Sequence, residues 1–374
     1  MVRIGYVINN LPVGGAEILL MNSIRALDKN KYTPYVYTLF NDNIFRGDFQ
    51  EAGALVREMD FKTNRRFWKV FRLARALAND RIDIVHTHLC DADLYGRFAG
   101  HMAGIKAIIS TEHSVDPWKT KHDWRRLLRT RLDLHSARFC QTIICVSRAV
   151  ADYHAVWGIP RDKIRIIYPT KPFRTPTVGL KEMRKNLGIP ENDFVVTNVG
   201  RLAPPKNQRL LIESAIALCE RDPGITFVIV GDGPLRAELV GLVDRSPYRK
   251  RILLVGERKD VAEILGASDL FVLPSDYEGF PITVIEAMQN GLPVVATDVG
   301  GIPELVDDRT GILIAPGRAD LLAAGIWDLY QDPGRRSKMG EAGRRAAIER
   351  FDFSVFMEHT TALYDELAVT RHLS

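Results

Sequence analysis

Glu278 and Glu286 are two carboxylates eight positions apart in the run Pro274-Ser-Asp-Tyr-Glu278-Gly279-Phe280-Pro281-Ile-Thr-Val-Ile-Glu286. The strand Leu270-Phe-Val-Leu273 precedes them. Pro281 suits the first position of a helix that would run to Asn290 and stop at Gly291. Glu278 then lies in the loop, and Glu286 about one and a half turns into the helix. Between them the amides of Gly279 and Phe280 leave the helix N-terminus without an intrahelical partner. Such a junction can hold a polyhydroxylated ligand at two places, each carboxylate accepting from one sugar while the amides donate between them. The plainer reading has Glu278 complementing the helix dipole and Glu286 as a solvated helix residue.

Arg201 and Lys206 share the loop Gly200-Arg201-Leu-Ala-Pro-Pro-Lys206-Asn207, after the strand Phe194-Val-Val-Thr-Asn-Val199. Two cations in one short loop suit a diphosphate, because Arg forks two oxygens and Lys supplies a compact charge. They would stabilise a departing nucleoside diphosphate without a metal, as preorganised electrostatic catalysis. In isolation such a pair reads equally as surface cations beside a loop. Gly14-Gly15-Ala16-Glu17 follows the first strand, where glycines at a strand-helix turn let an anion approach helix amides; a simple tight turn is the alternative. Asp232 is expected to fix its own turn, Gly231-Asp232-Gly233-Pro234. His113 ends the strand Ile105-Ser110 within Ser110-Thr-Glu-His113-Ser114 and could hydrogen-bond a sugar hydroxyl. In Val85-His86-Thr87-His88 the two histidines are expected to face opposite sides of their strand, and so not to form a metal pair.

Together these motifs resemble a retaining glycosyltransferase of the two-domain GT-B type, and specifically glycosyltransferase family 4. The resemblance covers essentially the whole chain, most strongly from Val199 to Gly317 and more weakly from Ile4 to Ser147. It implies that Glu286 accepts hydrogen bonds from the ribose of a nucleotide sugar and that Glu278 lies near the transferred sugar. It implies that Arg201 and Lys206 hold the diphosphate, and that Gly279, Phe280 and Pro281 complete the donor site. The segment Leu254-Val-Gly256-Glu-Arg258 would hold the base, mainly through backbone groups. His113 would stand beside the transferred sugar, and the Gly14 and Gly15 amides would face the donor phosphate or the acceptor. His88 and Glu17 are expected on the acceptor side. The implied reaction moves a sugar from a nucleoside-diphosphate sugar, such as a UDP- or GDP-sugar, to a hydroxyl acceptor, in glycan, polysaccharide or glycolipid synthesis. It needs no cofactor and no metal.

Two routes would retain configuration. One is double displacement on a carboxylate nucleophile. The other is front-face attack, with the leaving phosphate helping to deprotonate the acceptor. The second is favoured, because amides suited to gripping hydroxyls flank Glu278 and no nucleophile-plus-acid pair stands out. A sugar-nucleotide epimerase of the same fold and a non-catalytic nucleotide-sugar binding protein are the competing readings. The Glu-Gly-Phe-Pro segment argues against the first, and the complete set of charged positions against the second. One departure concerns Tyr168-Pro169-Thr-Lys171, where many members of the family carry Asn-Gly near the hinge. It bears on the hinge and on acceptor contacts, where Lys171 would reach the cleft.

The elements that must position these residues alternate strand and helix, twice over. Near-continuous apolar runs such as Ile143-Ile-Cys-Val146 and Phe227-Val-Ile-Val230 read as parallel strands covered on both faces. Two doubly wound, Rossmann-like α/β domains follow, with ligands beyond the carboxyl ends of the strands in the cleft between them. Three prolines in Pro169-Thr-Lys-Pro-Phe-Arg-Thr-Pro176 mark a stiff linker. The expected domains are an acceptor domain at 1–170, a donor domain at 177–350 and a helix at 351–374 crossing back to the first. The 374 residues suffice for two cores. With 26% charged residues the chain belongs among soluble globular proteins. It goes straight from Met1 into a strand, and no apolar run approaches the roughly 20 residues of a membrane helix. A cytoplasmic location is expected, with the four cysteines free. Arg65-Arg-Phe-Trp68-Lys-Val-Phe71-Arg72, extending to Arg75, and Trp118–Arg131 mix cations with aromatics. They suit either an anionic membrane surface on the inner face, with a lipid-linked acceptor, or ordinary amphipathic helices. Nothing resembles a nucleic-acid reading motif.

Overall fold

The computed structural model describes residues 1–12, 14–61, 66–115 and 124–370. It forms two units, Met1–Lys171 with Phe353–Ser374, and Pro172–Asp352.

The first unit holds a seven-stranded sheet of β1 (Val2–Ile8), β2 (Tyr32–Thr38), β3 (Leu55–Glu58), β4 (Ile84–His88), β5 (Ala107–Glu112), β6 (Thr142–Cys145) and β7 (Ile164–Ile166). Every pairing is parallel, in the order β3-β2-β1-β4-β5-β6-β7. The linking helices are α1 (Gly15–Ala26), α2 (Arg46–Glu51), α3 (Arg66–Asn79), α4 (Cys90–Met102), α5 (Trp124–Ala137) and α6 (Arg148–Val156). The six-residue α2 is not anticipated by the sequence; it buries only Phe49, so it carries no periodic stripe to read. Direction along the sheet reverses between β1 and β4, and a crevice opens at such a switch point beyond the strand ends.

The second unit repeats the plan with β8 (Phe194–Val199), β9 (Ile225–Val230), β10 (Ile252–Gly256), β11 (Leu270–Leu273), β12 (Val294–Thr297) and β13 (Gly311–Ile314). Their order is β10-β9-β8-β11-β12-β13, which puts the switch point between β8 and β11. Its helices are α7 (Leu180–Asn186), α8 (Gln208–Arg221), α9 (Arg236–Asp244), α10 (Val261–Gly266), α11 (Ile282–Gln289), α12 (Ala319–Gln331) and α13 (Pro333–Arg350). β8, β9, β11 and β12 are buried along their whole length, as helices on both faces require.

The last helix, α14 (Phe353–Thr370), belongs to the first unit. Met357, Leu363, Tyr364 and Leu367 enter the core that contains Ile4, Tyr6, Ile84 and Ile109. At roughly 1.5–3 kcal/mol for each large apolar side chain fully buried, four such residues anchor one helix firmly. The start of α13 is set by Asp332, whose carboxylate accepts from the Arg335 amide at 2.8 Å, with Pro333 in the first turn. Among the described residues no helix is long and apolar enough to cross a membrane. All four cysteines are free thiols, three of them buried.

Candidate functional site

In the second unit, adjacency of β8 and β11 brings the two charged loops together. Asn207 takes a left-handed conformation with φ +46° and caps α8. Its amide nitrogen donates to Asp276 Oδ1 at 2.8 Å, and the Asp276 amide donates to the Pro205 carbonyl at 2.9 Å. Laced in this way, Lys206 Nζ reaches Glu278 Oε1 at 2.5 Å, and the same oxygen accepts from Ser275 Oγ at 2.7 Å. Glu278 is 7% exposed, so its carboxylate is held by two donors in a largely dry place. Arg201 is exposed in the same loop and makes no ion pair among the described residues.

Glycines set the depth of this site. At Gly231 (φ +137°) a side chain would overlap the Gly200 carbonyl, and at Gly233 (φ +158°) the Leu202 carbonyl. Asp232 accepts from the Gly233 amide at 2.6 Å, and its carbonyl accepts from Leu202 N at 2.9 Å, so it fixes its own turn as expected. A side chain at Gly300 (φ +53°) would overlap the Glu278 carbonyl. Gly300 thus shapes the carboxylate loop from a distance that no local motif reveals.

Pro281 caps α11 instead of opening it, and the helix starts one residue later at Ile282; a shift of one position is the ordinary play of a helix end. Gly291 has φ +76° and ends the helix as anticipated. Glu286 lies in the second turn and is partly buried. Phe280 is 7% exposed, its ring edge-on to Phe351 at 5.6 Å between centroids, which leaves its backbone as the part able to meet a ligand. The neighbouring Gly279 amide makes no hydrogen bond among the described residues. Gly256 (φ +75°) ends β10, and its carbonyl accepts from Gly231 N at 2.8 Å. Arg258 forks onto Asp260 at 2.8 and 2.6 Å, so its guanidinium edge is already engaged.

Arg236 was not singled out by the sequence. It opens α9, where a cation opposes the helix dipole, and its buried Nη1 has no partner among the described residues. That nitrogen lies 3.6 Å from where a Gly256 side chain would begin. A cation placed against the dipole, directly after Gly231-Asp232-Gly233-Pro234, is the signal that could have found it.

In the first unit, parallel pairing sets His88 opposite Thr111, and His113 follows two residues on. His88 Nδ1 and His113 Nε2 are 3.0 Å apart. His86 and His88 do not face opposite sides: their ring centroids are 4.2 Å apart. Strand side chains alternate with a period of two, so positions two apart share a face. His86 Nε2 meets Thr111 Oγ1 at 2.7 Å and its Nδ1 meets Tyr364 Oη at 2.8 Å, while Tyr6 donates to Tyr364 at 3.1 Å. Burial, reinforced by the neighbouring imidazole charge, pushes His86 down to about 3 and His88 well below the usual range. Burial also lowers His113 to about 4, with Glu112 pulling the other way. All three rings are neutral near pH 7.

His88, expected on the acceptor side, is only 5% exposed and lines a cavity of about 30 Å³. Gly14 caps α1, and a side chain there would collide with the Glu17 carboxylate, which folds back over its own helix start and is buried. A side chain at Gly15 would meet nothing within 4 Å, so that turn is open to an approaching ligand. Of the two basic-aromatic stretches, Arg65 and residues 118–123 lie outside the described residues. Trp68 is 73% and Trp124 69% exposed, and Phe71, Leu127 and Leu128 are also exposed. Among the described residues no group of three or more His, Cys, Asp or Glu is placed to hold a metal ion.

Comparison with known proteins covers both units. Residues 13–170 match the model described as Glycosyltransferase Family 4, and residues 180–346 the model described as Glycosyl transferases group 1. The chain is 34% identical over 252 residues to the UDP-Gal:alpha-D-GlcNAc-diphosphoundecaprenol alpha-1,3-galactosyltransferase of Escherichia coli, covering 65% of each chain. It is 31% identical over 191 residues to the alpha-D-kanosaminyltransferase of Streptomyces kanamyceticus, covering 50% of this chain and 49% of that enzyme. The match thus spans between half and two thirds of these two relatives' length. Among solved structures, HepE of Anabaena in complex with UDP and glucose has the same fold, with a TM-score of 0.86 at 23% identity over 98% of this chain and 100% of that one.

Proposed function

Because the chain belongs to the family 4, group 1 glycosyltransferases of GT-B fold, we propose that it moves a sugar from a nucleoside-diphosphate sugar to a hydroxyl acceptor with retention of configuration. The observation that carries this reading is the contact of Lys206 Nζ with Glu278 Oε1 at 2.5 Å. It joins a cation suited to a diphosphate with a carboxylate suited to the sugar beside it. Arg201 stands exposed in the same loop, and Glu286 lies in the second turn of α11, where its carboxylate suits the hydroxyl pair of a ribose. The free Gly279 amide adds a donor between the two carboxylates.

On donor binding the Lys206 ammonium, which has three N–H donors, meets the diphosphate while keeping its contact with Glu278. Lys206 and Arg201 then neutralise charge that grows on the leaving group as the anomeric bond breaks, so the stabilisation is greatest in the transition state. No metal is required in this scheme. A carboxylate already held by an ammonium and a hydroxyl is a weak nucleophile, which favours front-face attack with the leaving phosphate taking the acceptor's proton.

The test is calorimetry with uridine, guanosine and adenosine diphosphates, with and without EDTA. One base should bind selectively and survive EDTA, and Glu286→Ala should weaken it by roughly ten- to a hundredfold, the worth of a charge-assisted hydrogen bond. Failure of the folded protein to bind any of them, or loss of binding in EDTA, removes the reading.

The acceptor belongs to glycan or glycolipid synthesis and is lipid-linked in this proposal. The E. coli relative is named for an acceptor on diphosphoundecaprenol, and α3 and α5 expose Trp68, Phe71, Trp124, Leu127 and Leu128 beside cations. Amphipathic surfaces of this kind bind anionic bilayers. Vesicles of phosphatidylglycerol should sediment the protein, and the Trp68→Ser/Phe71→Ser pair should lower the partition coefficient about tenfold. Equal partition of variant and parent argues against these helices as the membrane face.

A further inference from the structure

The hydrogen bond between His88 and His113 has a direction. Two neutral imidazoles share one proton across the 3.0 Å between His88 Nδ1 and His113 Nε2. In one arrangement His88 donates from Nδ1 and keeps a bare lone pair on Nε2. In the other His113 donates from Nε2, and His88 must carry its own proton on Nε2 as an N–H. That Nε2 is buried and has no partner among the described residues. His88 lines a cavity walled by apolar side chains such as Leu19, Leu20 and Phe356 together with Ser23, Thr360 and Tyr364, none of which gives Nε2 a hydrogen-bond partner. Orphaned buried N–H groups are rarer than under-satisfied acceptors, so the first arrangement is the one these surroundings favour.

His113 then accepts at Nε2 and carries its own proton on Nδ1. We propose that His88 is a positioning residue that fixes His113 as the Nδ1–H tautomer, so that the ring edge turned away from His88 donates a hydrogen bond to a hydroxyl oxygen of the bound sugar. The proposal rests on the glycosyltransferase reading above for the identity of the ligand. It does not rest on it for the tautomer. The His88 ring itself packs, tilted by 33°, against His86, whose two nitrogens are tied to Thr111 and Tyr364. The relay therefore runs from α14 through β4 to the end of β5, and only its last member meets substrate. A hydrogen-bond partner behind a functional imidazole sets its tautomer and ring plane.

The test combines spectroscopy and kinetics on the full chain. Long-range proton–nitrogen correlation spectra of histidine-labelled protein at pH 7 should show His113 protonated at Nδ1 and bare at Nε2. His88→Asn places an amide donor near the former Nδ1 and should keep that tautomer. His88→Leu removes the donor and should release His113 to a mixture richer in Nε2–H. With it, kcat should fall roughly ten- to a hundredfold while KM for the donor changes less than about threefold, and His88→Asn should recover most of the loss. A wild-type His113 protonated at Nε2, or a tautomer unchanged in His88→Leu, overturns the proposal; the wild-type spectrum alone decides if that variant does not fold. A tautomer that shifts in His88→Leu while turnover stays full also overturns the proposal, because His113 then does not donate to the sugar.

Discussion

Lys206→Ala is expected to lower kcat by about two to three orders of magnitude, the loss seen when one preorganised donor is removed from a developing negative charge. Two effects combine at this position. The variant lacks the compact charge that meets the diphosphate as its bond to the sugar lengthens. It also releases Glu278, because Lys206 supplies one of the two hydrogen bonds on Oε1 and Ser275 the other. A buried carboxylate with one donor left is less firmly oriented. Binding of the nucleoside diphosphate should weaken too, since the ammonium faces ground state and transition state alike. Lys206→Arg separates the two effects. It restores charge to the diphosphate, but a planar fork does not reproduce the single short contact with Glu278, so affinity should recover further than turnover. Steady-state kinetics with calorimetric affinities for both variants provide the check. A Lys206→Ala enzyme with kcat within about threefold of the parent would show that this loop does not carry the reaction.

The reading of this loop came from the sequence because its signals are local. Gly231-Asp232-Gly233, Gly200-Arg201 and Glu278-Gly279-Phe280-Pro281 are turn sequences recognisable within a few residues, although the close approaches that require Gly231 and Gly233 are to the distant Gly200 and Leu202 carbonyls. The strands were equally legible, since burial on both faces writes itself as an unbroken apolar run. What stayed hidden depends on which strand lies beside which. His113 lies 25 positions from His88 and reaches it only because β4 and β5 pair with His88 opposite Thr111. Gly300 supports Glu278 from the loop after β12, across 22 positions. The placement of His86 and His88 on opposite sides was an error of periodicity that the sequence itself could have corrected. The unpaired Arg236 nitrogen is different again, for only the folded chain shows that it lacks a partner.

Arg97→Met is the second large effect, on stability in the first instance. Nothing in the sequence marks Arg97, a cation in the middle of α4, yet it is fully buried. Its Nε donates to Ser110 Oγ at 2.7 Å, Nη1 to Asp133 Oδ1 at 2.9 Å and Nη2 to Glu112 Oε1 at 2.6 Å, with Asp93 Oδ1 at 4.0 Å. One guanidinium thus serves three carboxylates. Burial first, and then the neighbouring Glu112, hold Asp93 well above the ordinary carboxylate range, against the pull of Arg97. Removing the cation leaves the carboxylates facing one another in a dry site, and breaking a buried pair in this way costs about 3–5 kcal/mol. The sign with pH follows. A carboxyl whose folded pKa is raised contributes stability below its unfolded value, and that contribution disappears as pH climbs through the folded value. Without Arg97, whose charge pulls Asp93 down, the Asp93 carboxyl rises further. The deficit should therefore be smallest near pH 4 and widen towards pH 8. Urea unfolding of parent and variant at both ends of that range measures it. A gap below about 1 kcal/mol at pH 8 would mean that the network contributes no more than a surface pair. The consequence for the reaction is positional: Glu112 immediately precedes His113 on the chain, so the guanidinium that fixes Glu112 also fixes where β5 delivers the imidazole.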